Sequence, residues 1–220
     1  MSGSWDPRLI APVETRLAGP AIDAKHLTAQ ALQQRFSRAS RTPARWAPGE
    51  ASGGPVRAAS VLIALIARPP GMTVLLTRRA AHLSSHADQI AFPGGKADAA
   101  DADAIATALR EAQEEVGLPG SHVQVLGVLP VYAMGLRYAV TPVVGLVQPG
   151  FALRPNPDEV AQVFEAPLAF LMNPAHHRRH QMADGRQWFS MPYTDEAGRE
   201  HYIWGATAGM LRNLYRFLMA

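Results

Sequence analysis

Residues 90–118 read IAFPGGKADAADADAIATALREAQEEVGL, and this stretch decides the fold. A short strand predicted over 89–92 stops at Pro-Gly-Gly, because consecutive glycines permit backbone turns that bulkier residues cannot make. A helix is predicted over 103–116, since apolar residues recur on one face: Ile105, Leu109, Ala112 and Val116. Asp101 or Asp103 is expected to cap its start, and Gly117 to close its end. The pattern predicts a strand-loop-helix unit with the loop over the helix.

Three carboxylates crowd the last two turns of this helix. Glu111 and Glu115 are four residues apart and Glu114 lies between them, so like charges share a face near the negative end of the helix dipole. A helix built only for stability would carry lysine or arginine there. A hard divalent cation prefers oxygen ligands and would offset both penalties, whereas a solvated acidic face is the alternative. Arg110 stands four residues before Glu114, a spacing that predicts an ion pair orienting that carboxylate.

The segment from Gly95 to Leu118 resembles the Nudix box: Gly, five residues, Glu, seven residues, then Arg-Glu-apolar-any-Glu-Glu-any-Gly-apolar. The second half of the pattern, which begins at Arg110, matches at every position. The first half is one residue longer, so the early acidic position falls on Asp101 counted from Gly95 and on Ala102 counted back from Arg110. The resemblance implies that the early acid supports the loop and that the later glutamates hold metal.

A second motif lies just upstream. LLTRRA over 75–80 and FPGG over 92–95 resemble the signature of the coenzyme A pyrophosphatase branch of Nudix hydrolases. That signature is LLTxR, Ser or Ala, three residues, Arg, three residues, Gly, three residues and FPGG. Ser84 stands where the Arg is expected, and Asp88 where the Gly is expected. The resemblance covers roughly residues 57–219.

The resemblance implies hydrolysis of the diphosphate of coenzyme A or its acyl derivatives, to 3′,5′-ADP and 4′-phosphopantetheine or its acyl form. Mg²⁺ or Mn²⁺ is the expected cofactor, held by Glu111, Glu115 and Glu114. A metal ion would neutralise the diphosphate and acidify a water, and one glutamate would serve as general base. We favour Glu114 for that role, with Glu115 left open. Further contacts are expected from catalytic Arg110 and from substrate-binding residues: Arg79, Arg78, Gly94, Gly95 and Phe92.

Two other functions stay open at this point. Ser84 and Asp88 leave room for another nucleoside diphosphate derivative, such as ADP-ribose, NADH or a nucleoside triphosphate. A nucleotide-binding module without activity is the third hypothesis, and the intact glutamate trio disfavours it. For Arg78 and Arg79 the alternative is a pair of exposed arginines at a strand end.

The chain has 220 residues, 48% of them hydrophobic, which suits one domain with an appendage. Residues 1–55 are predicted to be an N-terminal helix (26–36) and linker, and residues 56–220 the hydrolase domain. Strands and helices mix without regular alternation, so an α/β or α+β sandwich is predicted. The resemblance implies a Nudix-type α/β/α sandwich with a mixed β-sheet.

The chain carries a formal net charge of +3 and no cysteine. The resemblance implies a small-molecule nucleotide substrate. We also expect no nucleic acid, no membrane and a cytoplasmic location, because the charge excess is small and no long apolar run occurs. A homodimer is expected from the resemblance. Without cysteine, thiolate metal sites are excluded, and any metal is expected to be a hard ion held by oxygen, which the glutamate trio offers.

Some chemistry-bearing residues fall outside these motifs. His176, His177 and His180 stand beside two arginines, and the Asn-Pro context predicts a solvated connection. For Trp204 and Phe189, packing in the core is favoured over stacking on a base. Ser84 and Ser85 next to His86 are not expected to be nucleophiles, because no elbow motif supplies an acidic partner.

Overall fold

A long parallel strand pair forms the centre of the fold. The protein is described by a computed structural model over residues 6–38, 57–83, 86–134, 138–148 and 150–220. β1 (Arg57–Arg68) pairs in parallel with β7 (Tyr138–Val147), from Arg57 opposite Tyr138 to Ile66 opposite Val147. Both strands are almost continuously apolar because both faces of the sheet are covered.

Other strands extend this pair on both sides. They are β2 (Gly71–Arg79), β3 (Ile90–Ala91), β4 (Gly94–Lys96), β5 (Val123–Val128), β6 (Tyr132–Met134) and β8 (Val160–Pro167). Within the described residues they form a mixed eight-stranded sheet with the path β3-β2-β1-β7-β5. Strand β4 pairs with β1, β6 with β7, and β8 with β2. The short β4 places the Gly-Gly turn beside the middle of the sheet.

Helices cover both faces of the sheet. α2 (Ala104–Val116) packs on the face that carries Leu62, Ala64 and Ile66 of β1. α1 (Ala29–Arg38) and α4 (Gly205–Met219) pack on the opposite face, around Ile63 and Leu65, and α3 (Leu168–Leu171) is a single turn beside them. The predicted α/β/α sandwich with a mixed sheet is confirmed. In the described ranges, no helix is long and apolar enough to cross a membrane.

The prediction of a solvated connection around the three histidines is wrong. β9 (Arg178–Gln181), β10 (Gln187–Thr194) and β11 (Glu200–Trp204) form a second, antiparallel sheet. His180 is buried in it, where its ring nitrogens lie 2.9 Å from the Ile10 carbonyl and 2.8 Å from Ser190 Oγ. The sequence pattern misleads here because the N-terminal segment covers these residues.

His177 is fully buried and its hydrogen bonds define its tautomer. Arg212 Nη1 lies 3.3 Å from His177 Nδ1, and because arginine only donates, Nδ1 is the acceptor. Nε2 therefore carries the proton and donates to the Leu171 carbonyl at 2.8 Å. Burial lowers the pKa of His177 to about 4. The ring links the α3 turn to α4 as a neutral group.

The N-terminal segment 6–38 packs against the sheet and against α4. The helix predicted over 26–36 is found at Ala29–Arg38, where Leu32 is fully buried in the main core. Phe36 packs on Phe217 with ring centroids 4.5 Å apart. Arg35 donates two hydrogen bonds to the Phe217 carbonyl near the end of α4. The linker beyond residue 38 and the boundary at 55 lie outside the described residues, so the division of the chain there stays a prediction.

Leu32→Ala should lower the free energy of unfolding by about 2–5 kcal/mol, because it leaves a cavity between α1 and the sheet. Leu9→Ala is the matched control, since Leu9 is 84% exposed and its loss should change the stability by less than about 0.5 kcal/mol. Urea unfolding of both variants measures the difference. Equal small effects would show that α1 does not contribute to the core.

The contribution of His177 to the stability of the protein should fall as the pH is lowered from 6.5 to about 4, whereas the raised pKa of Glu115 acts in the opposite direction. In this window the unfolded chain takes up a proton that folded His177 does not, so the His177 contribution to the free energy of unfolding decreases by at most about 1.4 kcal/mol per pH unit. His177→Gln should remove this contribution from the slope of the wild type. His26→Gln, at an exposed histidine, should leave it unchanged. Denaturant titrations at several pH values measure the slopes, and parallel profiles for wild type and His177→Gln would contradict this assignment.

Candidate active site

The helix α2 begins and ends as the sequence predicts. The Asp103 carboxylate caps the helix by accepting a hydrogen bond of 2.8 Å from Ala106 N. Gly117 closes the other end in the left-handed conformation, with φ 69°. Both caps are ordinary structural features. By setting where the helix begins and ends, they determine which of its carboxylates face the Gly-Gly turn.

Arg110 joins the loop to the helix. Its guanidinium donates to both carboxylate oxygens of Asp101, at 3.0 and 2.9 Å, and to the Lys96 carbonyl at 3.0 Å. A third nitrogen, Nη1, lies 3.0 Å from Glu111 Oε1 and 2.9 Å from Glu114 Oε2. The ion pair between Arg110 and Glu114 is therefore present as predicted.

Asp101, and not Ala102, occupies the early acidic position of the box. Besides Arg110, its carboxylate accepts hydrogen bonds of 2.9 Å from Asp98 N and from Thr107 Oγ1. Arg110 and these donors hold the pKa of the Asp101 carboxyl well below its usual range. Asp101 follows Gly95 at the expected spacing, so the extra residue lies between Asp101 and Arg110, and the longer segment keeps its anchor on the helix.

Glu115 lies under the Gly-Gly turn and is only 3% exposed. Its Oε2 accepts a hydrogen bond of 3.1 Å from Gly94 N, and its Oε1 lies 3.6 Å from Arg79 Nη1. Burial raises the pKa of the Glu115 carboxyl to about 7, although the Gly94 hydrogen bond and the Arg79 charge act in the opposite direction. The carboxylate is thus held in place by the loop and by the end of β2.

The carboxylate of Glu111 lies directly against the other glycine of the turn. A Cβ built on Gly95 would overlap all three atoms of that carboxylate, so only glycine allows this approach. Burial raises the pKa of Glu111, while Arg110 lowers it. Glu114, by contrast, is more than half exposed and accepts a hydrogen bond of 2.9 Å from Arg110 Nη1.

Glu159 is a fourth carboxylate at this site, and the sequence patterns missed it. It precedes β8, where Asn156 Nδ2 donates to its Oε1 at 3.4 Å and Ala80 N to its carbonyl at 2.9 Å. Its negative charge raises the pKa of both Glu111 and Glu115. No spacing in the sequence links Glu159 to the helix, because the pairing of β8 with β2 brings it there.

The loop between β2 and β3 explains one departure from the upstream motif. Asp88, which stands where glycine is expected, has φ 59°, in the left-handed region that glycine favours. His86 has φ 56° and its Nδ1 lies 2.9 Å from Gln89 Oε1. The Asp88 carboxylate lies 3.6 Å from Arg78 Nη1, so this chain adds an acid next to one of the two arginines. Ser84 and Ser85 lie outside the described residues.

A cavity of about 930 Å³ opens beside the turn, between the sheet and the start of α4. Its walls are largely apolar and include Phe92, Val140 and Met210, while Arg79, Gly94 and Gly95 form the end next to the carboxylates. This volume is within the usual range for small-molecule sites. Four of the predicted substrate contacts therefore line one cavity, and Arg78 does not.

The two aromatic residues considered for base stacking differ in position. Phe189 packs against the main core, as predicted. Trp204, also predicted to pack in the core, is half-buried and forms part of the cavity wall. It differs because β11 ends at Trp204, where α4 begins.

The acidic residues fit a hard divalent cation by their chemistry. In the part of the chain that the structure describes, no three His, Asp or Glu side chains stand close enough together to form a ready-made metal site. Glu111, Glu115 and Glu159 nevertheless interact as like charges, and burial makes the ionised forms of Glu111 and Glu115 costly. A cation with oxygen ligands would relieve both effects.

Comparisons with known proteins identify the family of the chain. A model of the NUDIX domain family matches residues 56–192. The chain is 46% identical over 159 residues to "Uncharacterized Nudix hydrolase NudL" of Escherichia coli K12, covering 72% of this chain and 81% of the relative. A protein of the same name from Shigella boydii serotype 18 is equally similar over the same shares of both chains.

Among solved structures, the Nudix hydrolase RenU of M. smegmatis superposes with a TM-score of 0.51 at 21% identity, covering 73% of this chain and 84% of that one. This similarity concerns the fold alone. The family match spans the strands, the turn and the helix that build the site, and the bacterial relatives cover most of the chain. The protein is an enzyme that acts on a nucleoside diphosphate derivative, and it belongs to the Nudix hydrolase family.

Proposed function

We propose that the chain hydrolyses the diphosphate linkage of coenzyme A or its acyl derivatives, to 3′,5′-ADP and 4′-phosphopantetheine or its acyl form. The observation that carries this proposal is the meeting of Arg79, the Gly94–Gly95 turn and the Glu115 carboxylate at one end of the cavity. Arg79 and FPGG belong to the upstream motif, and Glu115 to the box. The two motifs thus share one site.

We further propose that Glu111, Glu115 and Glu114 hold Mg²⁺ or Mn²⁺, with Glu159 as an additional oxygen donor. Nudix hydrolases generally use divalent ions. When bound, the ion supplies charge neutralisation at the diphosphate and a more acidic water. Arg110 positions two of these carboxylates through one nitrogen, and Gly95 leaves the space that Glu111 occupies.

The general base is a glutamate of the same helix. Glu114 is exposed and oriented by Arg110, which suits a carboxylate that takes a proton from an attacking water. Glu115 has a pKa near neutrality but is buried against Gly94 N. We assign the base to Glu114 and keep Glu115 as the alternative, because both are carboxylates and they differ only in how exposed they are to water.

The substrate's phosphates are proposed to contact Arg79 and the backbone of Gly94 and Gly95, with Phe92 packing below. The phosphate contact is assigned to Arg79 and not to Arg78, which does not line the cavity. The ion pair of Arg78 with Asp88 supports the second candidate, a different nucleoside diphosphate derivative such as ADP-ribose, NADH or a nucleoside triphosphate. An acid beside this arginine reduces its attraction for phosphate.

A cytoplasmic location and a homodimeric assembly remain proposals that accompany this function. They rest on the resemblance and on the composition of the chain. Gel filtration with light scattering measures the assembly.

Coenzyme A incubated with the protein and Mg²⁺ or Mn²⁺ should yield 3′,5′-ADP and 4′-phosphopantetheine. Glu114→Gln should lower kcat by about 10²- to 10⁴-fold, because an amide cannot accept the proton from water. Glu200→Gln, at an exposed carboxylate outside the site, is the control and should be unchanged. Turnover of ADP-ribose, NADH or a nucleoside triphosphate without turnover of coenzyme A would overturn the main proposal and favour the second. Wild-type kcat in Glu114→Gln, with loss in Glu115→Gln, would move the base to Glu115.

Gly95→Ala should lower the activity with little loss of stability, because the new methyl group displaces the Glu111 carboxylate, which is the end of a flexible side chain. Gly94→Ala should cost about 1–3 kcal/mol of stability, since its methyl group would meet the Ser60 carbonyl and Val61 Cα, which are backbone atoms. Gly71→Ala has open space around it and serves as the control. Thermal unfolding and initial rates separate the two effects. A Gly95→Ala variant with full activity would show that the position of Glu111 is not needed.

A further inference from the structure

Two cations stand together at the end of the cavity formed by the beginning of β1. Lys96, the last residue of β4, lies opposite Ala59 of β1, and Arg57 is two residues before Ala59 on the same face. Such diagonal neighbours in a sheet are about 7–8 Å apart, which is within reach of long side chains. Arg57 and Lys96 are both exposed and both line the cavity.

No acid of the described chain balances these two charges. Among the residues that the structure describes, neither Arg57 nor Lys96 forms an ion pair, and no Asp or Glu lines the cavity. The third cation of the lining, Arg79, faces Glu115 instead. Like charges on neighbouring strands are unfavourable by themselves. Their occurrence at the edge of a substrate cavity points to an anionic ligand.

The position of Lys96 relates this anion to the scissile diphosphate. Lys96 directly follows Gly95, and because consecutive Cα atoms are about 3.8 Å apart, it begins within about 8 Å of Gly94. Its carbonyl accepts a hydrogen bond of 3.0 Å from Arg110, which holds this backbone against the helix. An anion bound by Lys96 and Arg57 would therefore lie close to the proposed position of the diphosphate at Gly94 and Gly95, near enough to be another phosphate of the same nucleotide.

We propose that Arg57 and Lys96 form a second phosphate subsite that selects substrates carrying an additional phosphate on the ribose, next to the diphosphate. This inference rests on the proposed function, because it assigns a specificity within that site. The two side chains are specificity-determining residues and take no part in proton transfer. A charged contact of this kind changes affinity by about tenfold or more, since hydrogen bonds to charged groups are stronger than those between neutral groups.

Calorimetric binding of 3′,5′-ADP and 5′-AMP tests the subsite without any need for turnover. The wild type should bind 3′,5′-ADP at least about tenfold more tightly than 5′-AMP, and Arg57→Gln/Lys96→Gln should bring the two affinities within about threefold of each other. Lys96→Arg, which keeps the charge, should retain most of the preference when Arg57 is intact. Lys25→Gln removes one charge outside the cavity and should leave the preference unchanged.

Kinetics with coenzyme A and 3′-dephospho-coenzyme A provide the second measurement. In the wild type, kcat/KM should be higher for coenzyme A than for 3′-dephospho-coenzyme A. In Arg57→Gln/Lys96→Gln the two values should become nearly equal. Equal binding of the two nucleotides by the wild type, or a preference that survives in the double variant with an unchanged melting temperature, would overturn the subsite. Failure of the proposed function looks different, since neither coenzyme A nor its dephospho form would then be hydrolysed while the binding preference persists.

Discussion

The guanidinium of Arg110 is the contact on which the site depends. One side chain binds the loop through Asp101 and the Lys96 carbonyl, and the helix through Glu111 and Glu114. Because arginine presents several donors in a rigid planar group, it can hold acids on two segments at once. A lysine would supply one point charge and lose this geometry. The acids can be crowded at the negative end of the helix because this cation lies among them.

Gly94 and Gly95 also position the acidic side chains of the helix. Gly94 donates its backbone N–H to Glu115, and Gly95 leaves room for the Glu111 carboxylate, so the turn is shaped to the helix below it. The parallel pair of β1 and β7 holds this turn through β4, which adds to β1. Fold and chemistry are therefore coupled at short range: the sheet places the turn, and the turn places the carboxylates.

Much of this could be predicted from sequence, because the strand-loop-helix unit is local. Spacing alone was sufficient for the Gly117 end and the Arg110–Glu114 ion pair, whereas it left Asp101 and Asp103 as two candidates for the cap that Asp103 provides. The contribution of Glu159 and the burial of His177 and His180 depend instead on strands paired across long stretches of chain. Asp101 shows an intermediate case, since two ways of counting disagreed and only the hydrogen bonds to Arg110 and Thr107 decided between them.

The parallel register of β1 and β7 has a consequence for how the protein folds. Arg57 pairs with Tyr138 and Ile66 with Val147, and the whole of α2 with its loop lies between these strands in sequence. Parallel strands need such a crossover, and the entropy of closing it opposes the pairing until the strands meet. The helix that carries the glutamates is thus part of the connection that must be ordered for the central sheet to form. Placement of the proposed catalytic groups and completion of the core are therefore expected to occur in the same slow, non-local step.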